Sequence, residues 1–333
     1  MTPIKNTIIN KNTTISPIWF MRQAGRYLPE FRSIRKKNKN FIKLCLDSDL
    51  ASEITLQPLN RFNLDAAIIF SDILMVPYGL NQKVEFKKNF GPILDDIDLN
   101  VFKKTDEKNF TNKLNSIYKS LELTSRNTLL NNKDLIGFVG APWTILVYML
   151  NKKSPKKDLD KSIYNNPNQN ELIDKIVHIQ KLHIKNQVKN GASIIQIFDS
   201  WAGLLDEEKK DKYIYKPTKE IVEYTKSLGV EVICFPRCIK FYKEYCDIVK
   251  PNAISIDYEV DPIKIAENID IPIQGGMNPK CLLLDKNDML ENAKKYLEIF
   301  KNHKYIFNLG HGVMPETNPD NVKILVDFVK DFK

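Results

Sequence analysis

Ala192-Ser193-Ile194-Ile195-Gln196-Ile197-Phe198-Asp199-Ser200 follows directly on a long amphipathic stretch, residues 168–190, from which Gly191 separates it. The long stretch places Leu172, Ile176, Ile179 and Leu182 at helical spacing, so it reads as a helix with one apolar face and Gly191 as its stop. The run Ile194–Phe198 is β-branched and aromatic with little alternation, the pattern of a parallel strand covered on both faces. Similar runs recur at Ile18–Met21, Ala66–Phe70, Leu135–Val139, Val232–Phe235, Ala253–Ile256, Ile271–Gln274 and Tyr305–Leu309, with helical patterns such as residues 288–302 between them. Strands and helices alternating in this way predict an α/β fold, a single-domain (β/α)8 TIM barrel over residues 1–333. An open doubly wound sheet is the competing architecture.

Ser48 or Asp49 is expected to cap a helix running toward Arg61, and Pro142 suits the first turn of another. Leu80 to Asp134 is too long for an ordinary strand-to-helix connection. Within it, Lys83-Val84-Glu85-Phe86 followed by Gly91-Pro92 reads as a hairpin, and residues from about Glu107 to Leu123 as a helix. This segment is expected to be an insertion after the second strand.

The chain carries 50 Lys+Arg against 41 Asp+Glu, a net charge of +9, and its 43% hydrophobic residues suffice for a substantial core. The lysine excess is spread along the chain (Lys36-Lys37, Lys152-Lys153, Lys156-Lys157, Lys209-Lys210) and reads as compositional bias. The arginines are fewer and crowd between Arg22 and Arg35, which suits a polyanionic ligand. No basic stripe is interleaved with aromatics, so nucleic acid is not expected as a partner. No apolar run reaches about 18 residues, so no membrane span is expected. Met1 to Ser16 lacks the features of a secretory or transit segment, and a cytoplasmic location is expected. Cys45, Cys234, Cys238, Cys246 and Cys281 are odd in number and scattered; buried free thiols are expected, with no metal site.

In a barrel of this kind the residues just after the strands form the active site. Here they are Arg22 and Gln23, Ser71 and Asp72, Asp199 and Ser200, and His311. In Met21-Arg22-Gln23-Ala24-Gly25-Arg26, two guanidiniums flank a small pair, and Gly25 would allow positive φ and close ligand approach. Guanidinium binds carboxylate through a planar fork, although surface arginines in a loop would look the same. Asp72 ends a strongly apolar approach, where a carboxylate is either functional or a helix cap. His311, between Gly310 and Gly312, is expected on a flexible turn. Tyr148 falls either in helix packing or at the site. His178 and His183 do not share a helix face and read as surface or boundary residues. No Gly-x-Ser-x-Gly supports a serine nucleophile.

Pro17-Ile18-Trp19-Phe20-Met21-Arg22-Gln23-Ala24-Gly25-Arg26-Tyr27-Leu28-Pro29-Glu30 closely resembles the N-terminal signature of the uroporphyrinogen decarboxylase family. The resemblance continues, in family order, at Ala67–Leu74, Gly140–Thr144, Gln196–Gly203 and Phe307–Gly312. It implies a (β/α)8 barrel, usually a homodimer, that removes the acetate carboxyls of uroporphyrinogen III to give coproporphyrinogen III and CO₂ without a cofactor. By matching position it implies that Arg22, Gln23, Ala24, Gly25 and Arg26 line the substrate cleft and that Asp72 is the central carboxylate. Tyr148, Ser200 and His311 would contact the macrocycle or its arms, and Arg22 would assist the chemistry. The stretch Cys234-Phe235-Pro236-Arg237-Cys238 departs from the family pattern and is given no role. A corrinoid- or thiol-linked methyltransferase on a related barrel is the alternative. Such enzymes carry a zinc-binding His-x-Cys, and none of the four histidines here has a Cys two residues on.

Overall fold

A computed structural model describes residues 1–10, 16–87, 90–155 and 159–332. The pair Lys156-Lys157 and part of the polar N-terminal stretch lie outside the described residues. Nine strands occur among the described residues: β1 Ala66–Ile68, β2 Val84–Lys87, β3 Gly91–Leu94, β4 Asp134–Gly140, β5 Ile194–Asp199, β6 Glu231–Pro236, β7 Ala253–Ile256, β8 Ile273–Gly275 and β9 Tyr305–Ile306. β2 and β3 pair as an antiparallel hairpin, with Val84 opposite Leu94 and Phe86 opposite Pro92. The other seven form one parallel sheet in the order β1-β4-β5-β6-β7-β8-β9.

The expected strand Ile18–Met21 makes a single parallel bridge, from Ile18 to Phe307. Even so, it is bonded to both edges of the sheet. Phe307 N donates to Pro17 O at 2.8 Å on the β9 side, and Asp65 N donates to Ile18 O at 2.8 Å on the β1 side. Side chains then replace ladder partners: Asn308 Oδ1 accepts from Met21 N and Gln23 Oε1 accepts from Phe20 N. Arg22, at φ 59°, turns the chain out of extended geometry.

Curling gives the sheet two apolar faces. Ile136, Ile194, Ile233, Ile306, Trp19 and Met21 fill the inside, where Ile4 and Ile8 of the helix Pro3–Ile9 join them. The outer face carries the larger core, to which Ile195, Ile197 and Val232 belong together with Ile176 and Ile179 of the helix Gln169–Lys189. The neighbouring residues Ile194 and Ile195 therefore point to opposite apolar layers, which explains the continuous hydrophobic runs.

The helix Ser48–Arg61 is capped by Asp47, whose side chain accepts from Leu50 N at 3.0 Å, rather than by Ser48 or Asp49. The helix Glu107–Ser125 packs between Ser48–Arg61 and Gln169–Lys189, as one of the layer outside the sheet. The material beyond a plain strand-to-helix link is therefore the hairpin and its short flanking helices. His183 is buried, not a surface or boundary residue. Its Nδ1 lies 2.9 Å from Tyr118 Oη, and burial pushes its pKa down to about 3, so it packs as a neutral ring.

Candidate active site

The C-terminal ends of the parallel strands bring together the residues singled out from sequence. The loop after Met21 is braced from below. Gln23 is fully buried, and its amide accepts from Phe20 N at 3.1 Å and donates to Ala66 O at 3.0 Å. Tyr27 Oη donates to Gln23 O at 2.7 Å. Both ends of the Gln23 amide are thus committed to the scaffold, and the solvent-facing members of the loop are Arg22 and Arg26, with Ala24 and Gly25 half-buried. Positive φ falls on Arg22 and not on Gly25. Gly25 serves by close approach instead, since a Cβ there would stand 3.2 Å from Arg22 O. A left-handed conformation on a non-glycine residue is costly and is tolerated where the surroundings fix it.

Asp72 follows β1, after Phe70 N has left the sheet to bond Thr55 Oγ1 at 2.9 Å. Its Oδ1 accepts from Leu74 N at 2.9 Å, the short-range turn that the cap reading anticipated. Among the described residues no hydrogen bond reaches Oδ2. Burial raises the Asp72 pKa to about 6, opposed by the Leu74 bond and by the positive charge of Arg22. Arg22 keeps an accessible side chain. Its pKa is lowered, by burial first, while Asp72 and Tyr148 pull it back up.

Pro142 begins the helix Pro142–Asn151, which carries Tyr148 to the cleft, edge-on to Trp201 at 5.8 Å. Burial and the nearby Asp72 push the phenol up to about 12, so Tyr148 is a neutral donor at ordinary pH. Ser200 sits half-buried just past β5. Behind it, Thr144 Oγ1 donates to Asp199 Oδ1 at 2.6 Å and accepts from Trp201 N at 3.1 Å, which fixes the strand end. Asp199 is itself buried, and desolvation raises its pKa to about 7.

His311 lies beyond β9, and its pKa falls to about 4 through burial and then through the charges of Arg22 and Arg237. Its loop is packed rather than a flexible turn. Gly310 has no room for a Cβ against the backbone of Asp257 and Tyr258, and Gly312 has none against the side chain of Arg22. Neither glycine has positive φ.

The cleft has an aromatic floor on the inner face of the sheet. Phe138 and Phe198 stand edge-to-face at 5.7 Å, and Phe198 and Phe235 at 6.4 Å. Phe138 and Phe198 are half-buried and rest on the interior apolar cluster. Sequence reading did not find this floor, because the rings sit within strands as ordinary core residues would. It also gave no role to Arg237, which comes directly after β6 just as Asp72 and Ser200 come after β1 and β5. The same strand-end rule applied to Val232–Phe235 would have flagged it.

The arginines divide by partner. Arg61 and Arg126 are in ion pairs with Glu30 and Glu122, and Arg32 and Arg35 donate to backbone carbonyls. Among the described residues Arg22, Arg26 and Arg237 have no such side-chain bond. Cys45, Cys234, Cys246 and Cys281 are buried as expected, while Cys238 is exposed. Cys238, Asp257 and Glu259 have potential ligand atoms within 4.8 Å of one another. The Asp257 carboxylate already accepts from Cys238 N, Tyr242 Oη and Glu259 N, and it braces this loop.

Fold and site together define an α/β enzyme with a cleft at the strand ends whose unpaired guanidiniums suit a carboxylate-bearing ligand. The chain belongs to the uroporphyrinogen decarboxylase (URO-D) family, which it matches over residues 1–332. It is 40% identical to the uroporphyrinogen decarboxylase of Rickettsia felis over 97% of this chain and 95% of that one. It is 41% identical to the enzyme of the same name from Rickettsia bellii over 95% of both chains. Among solved structures it resembles a methyltransferase from Methanosarcina mazei, with a TM-score of 0.80, covering 100% of this chain and 99% of the other. At 14% identity that likeness shows a shared fold alone.

Proposed function

We propose that this chain removes the acetate carboxyls of uroporphyrinogen III to give coproporphyrinogen III and CO₂, in heme biosynthesis and without a cofactor. The observation that carries this reading is a cleft carboxylate, Asp72, within electrostatic reach of Arg22 at the strand ends, in a cleft with an aromatic floor and guanidiniums that have no protein partner. Membership of the family, with relatives of that name at about 40% identity, supports the reaction. The methyltransferase alternative has only the likeness of fold in its favour.

The chemistry fits these residue types. Protonating the ring carbon next to the one that bears an acetate arm turns the ring into an electron sink. The electron pair of the breaking C–C bond flows into that ring as CO₂ leaves. The resulting exocyclic methylene takes up a proton and the ring returns one, so each acetate becomes a methyl with net consumption of one proton. Asp72, ionised and acceptor-only, receives pyrrole N–H groups and stabilises the positive charge on the protonated ring. Arg22 and Arg26 hold carboxylate arms through charged hydrogen bonds, each contributing roughly 1.5–3 kcal/mol, and Arg22 anchors the arm being lost. Tyr148, Ser200 and His311 contact the macrocycle as neutral hydrogen-bonding groups, and Gln23, Ala24 and Gly25 shape the wall from which Arg22 and Arg26 project.

The architecture proposed with this function is one barrel domain over residues 1–333. Bonds from residues 17–19 to both sheet edges support that segment as the eighth stave, and the hairpin region after Leu80 as an insertion. A homodimer in the cytoplasm, with no nucleic-acid or membrane partner, completes the reading that the resemblance implies. Among the described residues no helix is long and apolar enough to cross a membrane. Anaerobic incubation of the purified protein with uroporphyrinogen III, followed by oxidation and chromatography, tests the function. Coproporphyrin and partly decarboxylated intermediates are expected; unchanged octacarboxylate would overturn it.

A further inference from the structure

Arg237 is held at the strand ends by bonds on every side of its backbone. Its N donates to Asp199 O at 3.1 Å, its carbonyl accepts from Gly203 N at 3.0 Å, and Cys238 N donates to Asp257 Oδ2 at 2.7 Å. Gly203 has no side chain because Cys238 packs directly on it, where a Cβ would stand 2.6 Å from Cys238 Cβ. Cys238 holds φ 61°, so the turn is rigid and strained at the residue after Arg237. This much fixing of a backbone leaves one side chain, a half-buried guanidinium, as its product.

The guanidinium has no protein use. Its Nε is buried without a hydrogen-bond partner, and it forms none of the arginine ion pairs among the described residues. Its position is informative as well. Residues 17–19 bridge β9 and β1, and from there β6 is four places away in either direction around the sheet order. Arg237 therefore stands across the strand ends from Arg22, yet its charge is felt at both Arg22 and His311. Arg22, Arg26 and Arg237 thus crowd one cleft whose nearby carboxylate, Asp72, is half-buried. Like charges brought together repel, and an anion bound among them relieves that cost.

We propose that Arg237 is a carboxylate-binding residue of the cleft, taking an arm of the tetrapyrrole on the side that Arg22 and Arg26 do not reach. This rests on the function proposed above. The arm's chemistry, a carboxylate on a short alkyl chain, matches a guanidinium fork on a fixed backbone.

The test is steady-state kinetics of Arg237→Gln and Arg237→Lys with uroporphyrinogen III under anaerobic conditions, beside melting curves. Arg237→Gln is expected to raise KM roughly tenfold or more with a smaller change in kcat. Its KM should depend less steeply on ionic strength than that of the wild type, and Arg237→Lys should recover part of the loss. A wild-type enzyme that turns over substrate alongside an Arg237→Gln variant with KM within about twofold overturns the proposal. So does a variant that loses KM and melting temperature together with no recovery in Arg237→Lys, since that marks a structural role. If the wild type leaves uroporphyrinogen untouched, the proposed reaction fails, and fluorescence titration with uroporphyrin I then decides on Arg237 alone. Weaker binding by Arg237→Gln supports a carboxylate contact, and equal binding overturns it.

Discussion

A Cβ placed on Gly312 would stand 2.6 Å from Cγ of Arg22 and closer still to its Cδ. The stem of Arg22 occupies the space that a side chain at position 312 would fill, and Val313 N donates to Met21 O at 2.9 Å to bind the two loops together. The loop after β9 therefore sets where the first cleft arginine points. The contact is with the stem and not with the flexible tip, so neither partner can move aside cheaply.

Gly312→Ala is accordingly expected to displace Arg22 and lower kcat/KM by about tenfold or more, the effect of misplacing one charged contact. Kinetics of that variant beside Arg22→Gln check this. If Gly312→Ala keeps wild-type kcat/KM while Arg22→Gln loses it, the positioning claim is wrong.

The raised pKa of Asp72 gives a pH signature. With the carboxyl pushed up to about 6, protonation removes the acceptor as pH falls through that value, so kcat/KM should decline on the acid side below about 6. The charge of Arg22 holds this pKa down, and Arg22→Gln should therefore move the acid limb to higher pH. A limb that stays put in Arg22→Gln would contradict the coupling of the two groups.

Asp199 makes a separate prediction about stability. Its folded pKa, about 7, lies above the unfolded value of about 3.9. The folded state thus binds more protons between those values, and its stability from this group is full below about 4 and is lost as pH rises through about 7. Asp199→Asn keeps an acceptor for Thr144 and cannot ionise. Its melting temperature relative to wild type should climb from pH 4 to about 7 and then level off; a difference independent of pH would sink this account.

Gln23→Ala should act on the fold. It strands Phe20 N and Ala66 O in a buried setting, a loss of about 1–3 kcal/mol. Chemical denaturation would register that loss as a lower midpoint with an unchanged slope, and an unchanged midpoint would show that the brace is dispensable.

Much of this arrangement was legible in the sequence because burial on both faces of a curled sheet leaves a plain trace. Ile194–Phe198, Val232–Phe235 and Ala253–Ile256 are strands where their continuous apolar runs place them. Ile18–Met21 was harder, since Asn308 and Gln23 side chains stand in for its ladder partners and no local pattern announces them. The cap at Asp47 was missed by a single residue, a choice that propensity cannot make among Asp47, Ser48 and Asp49. His183 looked like a boundary residue because its partner Tyr118 is distant in sequence. For the site, Arg22 packs against the His311 loop at Gly312, and Asp72, Tyr148 and His311 each lie within electrostatic reach of Arg22. The positive φ on Arg22 and the packing beneath Gly310 and Gly312 were invisible, because both depend on what the tertiary fold brings alongside.

The central claim is that this cleft decarboxylates uroporphyrinogen with Asp72 as its central carboxylate. Anaerobic turnover of uroporphyrinogen III by the wild type and by Asp72→Asn, matched for folding by circular dichroism, tests it most directly. The account predicts coproporphyrinogen from the wild type and a loss of kcat of at least about a hundredfold in Asp72→Asn. An inert wild type, or near-normal turnover by a folded Asp72→Asn enzyme, would contradict it.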